Sequence, residues 1–215
     1  MSPDDRSLTW DSFARIYDWQ LWLEQPAVRI ALDLAAITPG ERVLDVGTGT
    51  GAVLREVARR GLRPGSVLGV DRSPEMLARV RALPADWRLL RADATRLPLA
   101  DSSIDVMIAG FLLHLLSDRE RVACLRELGR VLAPDGRFVI VVPAYPAHPL
   151  GRASYQLLLH ALNIVPGGIA RTLQPIELEP DLQTTGFTIT TTRRSHRGYP
   201  ASCLLTRLIH PRPAS

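Results

Sequence analysis

The chain has 215 residues, 46% hydrophobic and 22% charged, which suits a globular fold large enough to bury roughly 70% of its unfolded surface. Its apolar runs are broken well before the ~18 residues that a membrane-spanning helix requires. The net charge is +4, and all 26 basic residues are arginines scattered singly or in short pairs such as Arg59-Arg60 and Arg193-Arg194. This distribution argues against the long basic runs of a nucleic-acid surface.

The start, Met1-Ser2-Pro3-Asp4-Asp5-Arg6, has no basic segment leading into an apolar core, so no secretory signal is expected. The two cysteines, Cys124 and Cys203, lack metal-ligand spacing, and a reduced cytoplasmic setting is the expectation. Phe13, Ile16, Tyr17 and Leu21 recur at helical spacing, predicting an amphipathic helix over 11–23. A second helix is expected with Pro26 in its first turn, running to Ala36. The short run Val43 to Val46 reads as a strand. It meets Gly47-Thr48-Gly49-Thr50-Gly51, and Ala52 to Arg60 then has apolar residues at helical spacing. A strand, a glycine loop and a helix in that order let backbone approach a ligand closely and aim helix N–H groups at it.

Ser66 to Val70 is a second strand ending at Asp71, after which Ser73-Pro74-Glu75 has the composition of a helix start. Trp87 to Arg91 is a third strand and Ile104 to Ala109 a fourth, apolar except at Asp105, as expected where both faces are covered. Ser117-Asp118-Arg119-Glu120 has capping-box spacing and predicts a helix to about Leu132. Pro134-Asp135-Gly136 turns into a fifth strand, Arg137 to Val142. One apolar helix is expected over Ser154 to Ile164 and a short one over Glu179 to Thr184. Two β-rich runs, Thr188 to Arg193 and Ser202 to Ile209, flank the turn Arg197 to Pro200. Alternating strands and helices over 43–142 predict an α/β fold with a doubly wound, mostly parallel sheet, and the last two runs an antiparallel C-terminal hairpin. The chain reads as a single domain. Residues 1–40 form N-terminal cap helices, 43–143 a core, 144–175 a variable lid and 176–215 the last helix and edge strands.

The glycine loop alone fits a G-x-G-x-G turn and, more loosely, a dinucleotide fingerprint. Its partners sharpen the reading. Asp71, 20 residues after Gly51, ends the second strand, where a carboxylate can accept both hydroxyls of a ribose. Asp93 follows the third strand, where an acid can accept from an exocyclic adenine amine. Asp45, an acid beside the loop, suits an ammonium group and would repel a pyrophosphate.

These residues are similar to the motifs of class I S-adenosylmethionine-dependent methyltransferases, in the small-molecule group that includes the ubiquinone and menaquinone biosynthesis C-methyltransferases. Val43 to Gly51 resembles that family's first motif and Gly69 to Leu77 its second. Ala92-Asp93-Ala94 and Leu97 to Asp105 resemble the third and the run into strand four, and Glu127 to Gly136 the helix and turn before strand five, with Asp135 where a glycine is common. The resemblance covers about residues 12–143. It implies a Rossmann-like seven-stranded sheet with an antiparallel edge hairpin, S-adenosyl-L-methionine as cofactor, and methyl transfer to a small acceptor. Gly47, Thr48, Gly49 and Gly51 would line the methionine part, and Asp45 would orient its amino group. Asp71 would hold the ribose, Arg72 and Met76 would flank the adenine, and Asp93 and Ala94 would read its edge. Gly110 and Phe111 would border the sulfonium, and Tyr17 resembles a family residue whose helix closes over the cofactor. Met76 and Phe111 also fit plain core positions, and Asp105 a structural partner.

A sulfonium methyl is already activated, so transfer needs positioning and dehydration, with a base only for a protonated acceptor. His114, just past strand four, is the candidate base. An apolar 144–175 segment would suit a lipophilic acceptor of quinone-precursor, lipid or secondary-metabolite type, and leaves contact with a membrane surface open. Arg193 to Pro200 matches nothing in the family. Two other readings stay open: an NAD-dependent oxidoreductase, and a non-catalytic S-adenosylmethionine-binding module.

Overall fold

The computed structural model describes residues 22–146, 148–163, 173–195 and 200–208. Tyr17 and most of the first expected helix lie outside them, as do Arg197 to Tyr199 of the expected turn. Helix α1 (residues 22–35) buries Ala27, Val28, Ala31, Leu32 and Ala35 as one stripe. Pro26 therefore sits within a helix and not in its first turn; the apolar burial that follows it outweighs the one backbone hydrogen bond a proline forfeits.

Seven strands follow: β1 (Arg42–Val46), β2 (Ser66–Asp71), β3 (Arg88–Arg91), β4 (Ile104–Gly110), β5 (Leu132–Pro143), β6 (Phe187–Ser195) and β7 (Ala201–Leu208). They form one sheet in the order β3-β2-β1-β4-β5-β7-β6. β1 to β5 are parallel, and β7 enters antiparallel between β5 and β6. This is the doubly wound, mostly parallel sheet with a C-terminal hairpin that the sequence pattern predicts. The helices after α1 are α2 (Ala52–Arg59), α3 (Pro74–Leu77), α4 (Asp118–Val131), α5 (Pro149–Asn163) and α6 (Glu179–Thr184).

Alternation along the central strands explains why they lack polar residues. Val43, Val106, Ile108, Val139 and Val141 pack on the α1 and α2 side, whereas Leu44, Met107, Ala109, Phe138 and Ile140 pack with α4 and α6. Both faces are dry, so the buried stretches Val43–Val46, Val106–Ala109 and Phe138–Val142 are apolar at every position except Asp45. Asp105 is a structural partner: its Oδ2 accepts from the Arg42 backbone N–H at 2.8 Å and its carboxylate takes the Arg42 guanidinium, tying β4 to the start of β1.

Several boundaries differ from expectation. α3 is a single turn, because Ala82 at φ 58° and Pro84 redirect the chain before a second can form. β5 begins at Leu132, with Ala133 to Gly136 accommodated as a bulge between the Ile104 and Val106 pairings. α5 starts at Pro149, five residues before the expected Ser154, with proline supplying a pre-set first position. The α4 capping box is as expected: Ser117 Oγ accepts from Glu120 N–H while Glu120 accepts from Ser117 N–H.

Arg137 of β5 braces the far end of α1. Its guanidinium donates to the carbonyls of Ala35 and Ala36, two of the unpaired acceptors at a helix C-terminus, and pairs with Glu41 at 2.8 Å. That hydrogen bond holds the Glu41 carboxyl below the usual range. Arg137→Ala should therefore destabilise the fold by about 2–4 kcal/mol at pH 7. A depressed carboxyl stabilises above its unfolded pKa and loses this as pH falls through the folded value, so the penalty should shrink below pH ~4. Urea denaturation of both proteins checks this; equal midpoints at pH 7 would refute the brace.

Candidate cofactor and active site

The loop after β1 is left-handed at Gly47 (φ 68°), Gly49 (φ 53°) and Gly51 (φ 85°). A Cβ on Gly47 would come within 2.9 Å of Leu112, and one on Gly51 within 2.8 Å of Val80. Gly49 differs: beyond its backbone angle, no atom of the described residues other than its chain neighbours lies nearer than 3.9 Å to its missing side chain. Tight packing explains the outer glycines, while the middle one leaves bare backbone facing open space. Thr48 N–H donates to Val70 O at 2.9 Å, clamping the loop against the end of β2.

Asp45 lies on the α1 and α2 face of β1 and is 1% exposed. Its Oδ2 accepts a 2.5 Å hydrogen bond from Thr48 Oγ1. Burial pushes the carboxyl up to about 7; the Thr48 bond opposes this, and the Asp71 charge adds to it. No cation in the described structure pairs with it. A buried acid on a central strand, poised near neutrality, is costly to keep without a ligand of positive charge.

Asp71 closes β2. Its Oδ2 accepts from Gly49 N–H and its Oδ1 from Ser73 N–H, both at 2.9 Å. Each oxygen keeps lone-pair capacity for another donor. Ser73 Oγ in turn caps α3 by accepting from Met76 N–H at 3.2 Å. Met76 is buried and Arg72 exposed. Past β3, Asp93 Oδ1 accepts from both the N–H and the hydroxyl of Thr95 at 2.8 Å, which holds its carboxyl below the ordinary range. The second Asp93 oxygen makes no hydrogen bond among the described residues. Ala94, the next residue, is half-buried. With strands ~4.8 Å apart, the glycine loop, Asp71 and Asp93 form a short arc along one sheet edge.

At the end of β4, Gly110 is followed by Phe111 at φ 55°, a conformation that costs a non-glycine residue about 1–2 kcal/mol. Phe111 N–H donates to Val141 O at 2.9 Å, which helps hold the turn. Its ring meets that of His114 edge-on at 6.3 Å. His114 is buried on the following turn, Leu113–Leu115, and does not line the cleft. Sequence reasoning expected it to border the sulfonium and the substrate; the structure sets it one turn past Phe111, edge-on to that ring.

The cleft itself, about 30 Å³, is lined by the loop, Asp45, Ala52, Val53, Gly110, Phe111 and, from α1, Glu24 and Val28, which sequence reasoning missed. Glu24 is 5% exposed. The signal was present: Glu24 heads the stripe that continues through Val28, Ala31 and Ala35 at helical spacing, so it had to point inward. Thr50 Oγ1, also in this lining, is buried with no hydrogen-bond partner among the described residues. Elsewhere, Cys124 and Cys203 are buried free thiols that burial pushes up to about 12.

The fold and the edge geometry define a class: a doubly wound α/β protein with a ligand cleft at the β1 to β4 strand ends. A methyltransferase-domain family model matches residues 43–136. The 2-phytyl-1,4-naphtoquinone methyltransferase of Synechococcus elongatus is 34% identical over 80% of this chain and 77% of its own length. The demethylmenaquinone methyltransferase of Tropheryma whipplei is 41% identical over 55% of this chain but 48% of its own. Against four of the demethylmenaquinone methyltransferases, this chain spans 48 to 64% of their length. A chain from the Haloferax volcanii complex of the Trm112 methyltransferase activator and a methyltransferase shares the fold with a TM-score of 0.74, at 18% identity over 99% of this chain and 100% of that one. The chain belongs to the class I S-adenosylmethionine-dependent methyltransferases.

Asp45 gives a prediction independent of any ligand. A carboxyl whose pKa is raised on folding stabilises below its unfolded pKa near 3.8, and that stabilisation is lost as pH rises through about 7. Asp45→Asn should thus raise stability by about 2–4 kcal/mol at pH 8 and change it little at pH 4. Thermal melts at the two pH values measure this, and a variant no more stable at pH 8 than the parent would contradict it.

Proposed function

We propose that this protein transfers the methyl group of S-adenosyl-L-methionine to a small, apolar acceptor of the quinone-precursor type. The observation that carries the reading is the arc of Asp45, Gly49, Asp71 and Asp93 along one sheet edge. The residues fit the cofactor by their chemistry: bare backbone at Gly49, a poised buried acid, an unpartnered Thr50 hydroxyl, and carboxylates with spare acceptor capacity. When bound, the cofactor supplies an activated methyl on a positively charged sulfur.

The chain's own residues then divide the work. Asp45, held by Thr48, takes the amino group of the methionine end, while Gly49 lets the backbone approach it and Gly47 and Gly51 allow the tight packing that shapes the loop. Asp71 accepts from the ribose hydroxyls and keeps the loop in register through Gly49 N–H. Met76 and Arg72 flank the adenine, and Asp93 with Ala94 recognises its edge. Gly110 and Phe111 border the reacting centre and exclude water from it. His114 supports the strained Phe111 from behind. Tyr17 is proposed to belong to the segment that closes over the cofactor. Asp45 also argues against an NAD-dependent oxidoreductase, because a buried acid beside the loop would repel a pyrophosphate.

The acceptor class draws on the relatives named for naphthoquinone and demethylmenaquinone methylation. It also draws on α5, where Leu150, Leu157 and Leu158 form an exposed stripe at i, i+7 and i+8. No helix among the described residues is long and apolar enough to cross a membrane. This stripe suits a lipophilic acceptor delivered from a membrane surface to a protein working in the cytoplasm.

Titration calorimetry with S-adenosylhomocysteine tests the site. Asp71→Ala should weaken binding at least tenfold, which corresponds to about 1.4 kcal/mol. The affinity of the parent should fall below pH ~7, as Asp45 takes up a proton and its attraction for the ligand ammonium is lost. Asp45→Asn should bind weakly with no such pH dependence. Unchanged affinity in Asp71→Ala would overturn the site assignment. Binding without methyl transfer to naphthoquinol acceptors would overturn the activity.

A further inference from the structure

Two acids line the cleft at the glycine loop, Asp45 from β1 and Glu24 from α1. They are 1% and 5% exposed, so neither carboxyl is open to bulk water. Beside them lies the Thr50 hydroxyl, 4% exposed, whose Oγ1 has no hydrogen-bond partner among the described residues. A buried hydroxyl is costly to leave unmet, and here it borders a space in which a polar ligand can meet it. Asp45 is matched to the ammonium of that ligand. Glu24 is a second acid on the same small cleft.

α1 fixes the level at which Glu24 stands. The helix ends at the start of the sheet: Arg137 donates to the carbonyls of Ala35 and Ala36 and pairs with Glu41, the residue before β1. Its other end reaches the cleft, where Glu24 and Val28 contribute to the lining. Glu24 lies 12 residues before Ala36, which is about 18 Å along a helix that rises ~1.5 Å per residue. β1 covers that distance in about five residues at ~3.3 Å each, so Glu24 comes level with Gly47 and stands farther out than Asp45. On the neighbouring β4, Asp45 pairs with Ile108, so the level of Gly47 is that of Gly110. Gly110 and Phe111 both line the cleft, and they border the reacting centre in the function proposed above.

In the cofactor a short aliphatic chain carries the sulfonium away from the amino group. With the amino group at Asp45, that chain leads outward to the level of Glu24, Gly110 and Phe111. We infer that Glu24 is the counter-charge of the sulfonium, so that the site tells the methyl-bearing cofactor from its neutral, demethylated product; this rests on the methyltransferase reading above. Asp45 makes no such distinction, because the ammonium it meets is present in both molecules. Glu24 does, because a carboxylate held out of water attracts a positive sulfur strongly and gains nothing comparable from an uncharged thioether. An acid at this position therefore favours loading of the methyl donor and release of the spent form.

Titration calorimetry at pH 8 with S-adenosylmethionine and S-adenosylhomocysteine, without acceptor, tests this. Glu24→Gln keeps the size of the side chain and removes its charge. It should weaken S-adenosylmethionine binding about tenfold and change S-adenosylhomocysteine binding by less than about twofold. Asp45→Asn should weaken both ligands by a similar factor and leave their ratio as in the parent. Glu24→Asp, which keeps the charge but draws it back by one methylene, should give an intermediate ratio. It carries the test if circular dichroism shows that Glu24→Gln does not fold, and an unchanged ratio then overturns the assignment. A parental ratio in folded Glu24→Gln, whether both ligands weaken together or neither does, overturns it equally. The two readings fail separately. Binding of both ligands with an unaltered ratio keeps the cofactor site and removes this role of Glu24, whereas a parent that binds neither ligand removes the methyltransferase reading itself.

Discussion

The structure turns on one unfavourable burial. Asp45 occupies the second-to-last position of the central strand β1, flanked by β2 and β4 and facing the α1 and α2 layer. Every neighbouring position on that face is apolar, and an acid there loses hydration that its single hydrogen bond from Thr48 only partly replaces. The glycine loop, the Thr48 clamp on Val70 and the Asp71 bond to Gly49 all lie within a few residues of it. They hold a fixed backbone around a charge that the apolar core would otherwise exclude. A fold selected for stability alone would place an apolar residue at this position.

Much of this organisation was legible in the chain. The alternation of strands and helices is written in period-two and helical spacing, and Ser73 and Ser117 announced two helix starts that the structure reproduces. Asp71 and Asp93 could be located because strand ends can be read from the residues that stop an apolar run. What could not be read depended on contacts between segments far apart in sequence. Arg137 bracing α1 across 96 to 102 residues leaves no local trace. The bulge at Ala133 to Gly136 resembles an ordinary turn until strand pairing absorbs it. His114 has the right residue type and nearly the right position, but the backbone strain at Phe111 turns the following segment so that the ring, not the imidazole, meets the cleft. Glu24 was the opposite case, where the spacing was informative and the acid was passed over because helix and loop seemed to divide at Pro26.

The same end of the sheet carries side chains of opposite sign in two places. At the β1 to β3 ends the side chains are acids: Asp45, Asp71 and Asp93. Beyond β5 the described residues Arg194 and His148 carry the opposite character. Parallel strands make this possible, because their carboxyl ends all open onto one crevice and the two hairpin strands extend that crevice without reversing it.

The absence of lysine has a consequence for how the molecule responds to acid. Every basic side chain is a guanidinium, which keeps its charge throughout the range in which proteins are stable. The two thiols are pushed up to about 12 and are equally silent near neutrality. Asp45, by contrast, is pushed up to about 7 and changes charge in the range where the guanidiniums and thiols do not. Asp45 lies in the cleft itself, so a potentiometric titration of the intact molecule would register capture of an ammonium-bearing ligand as the release of a countable fraction of one proton.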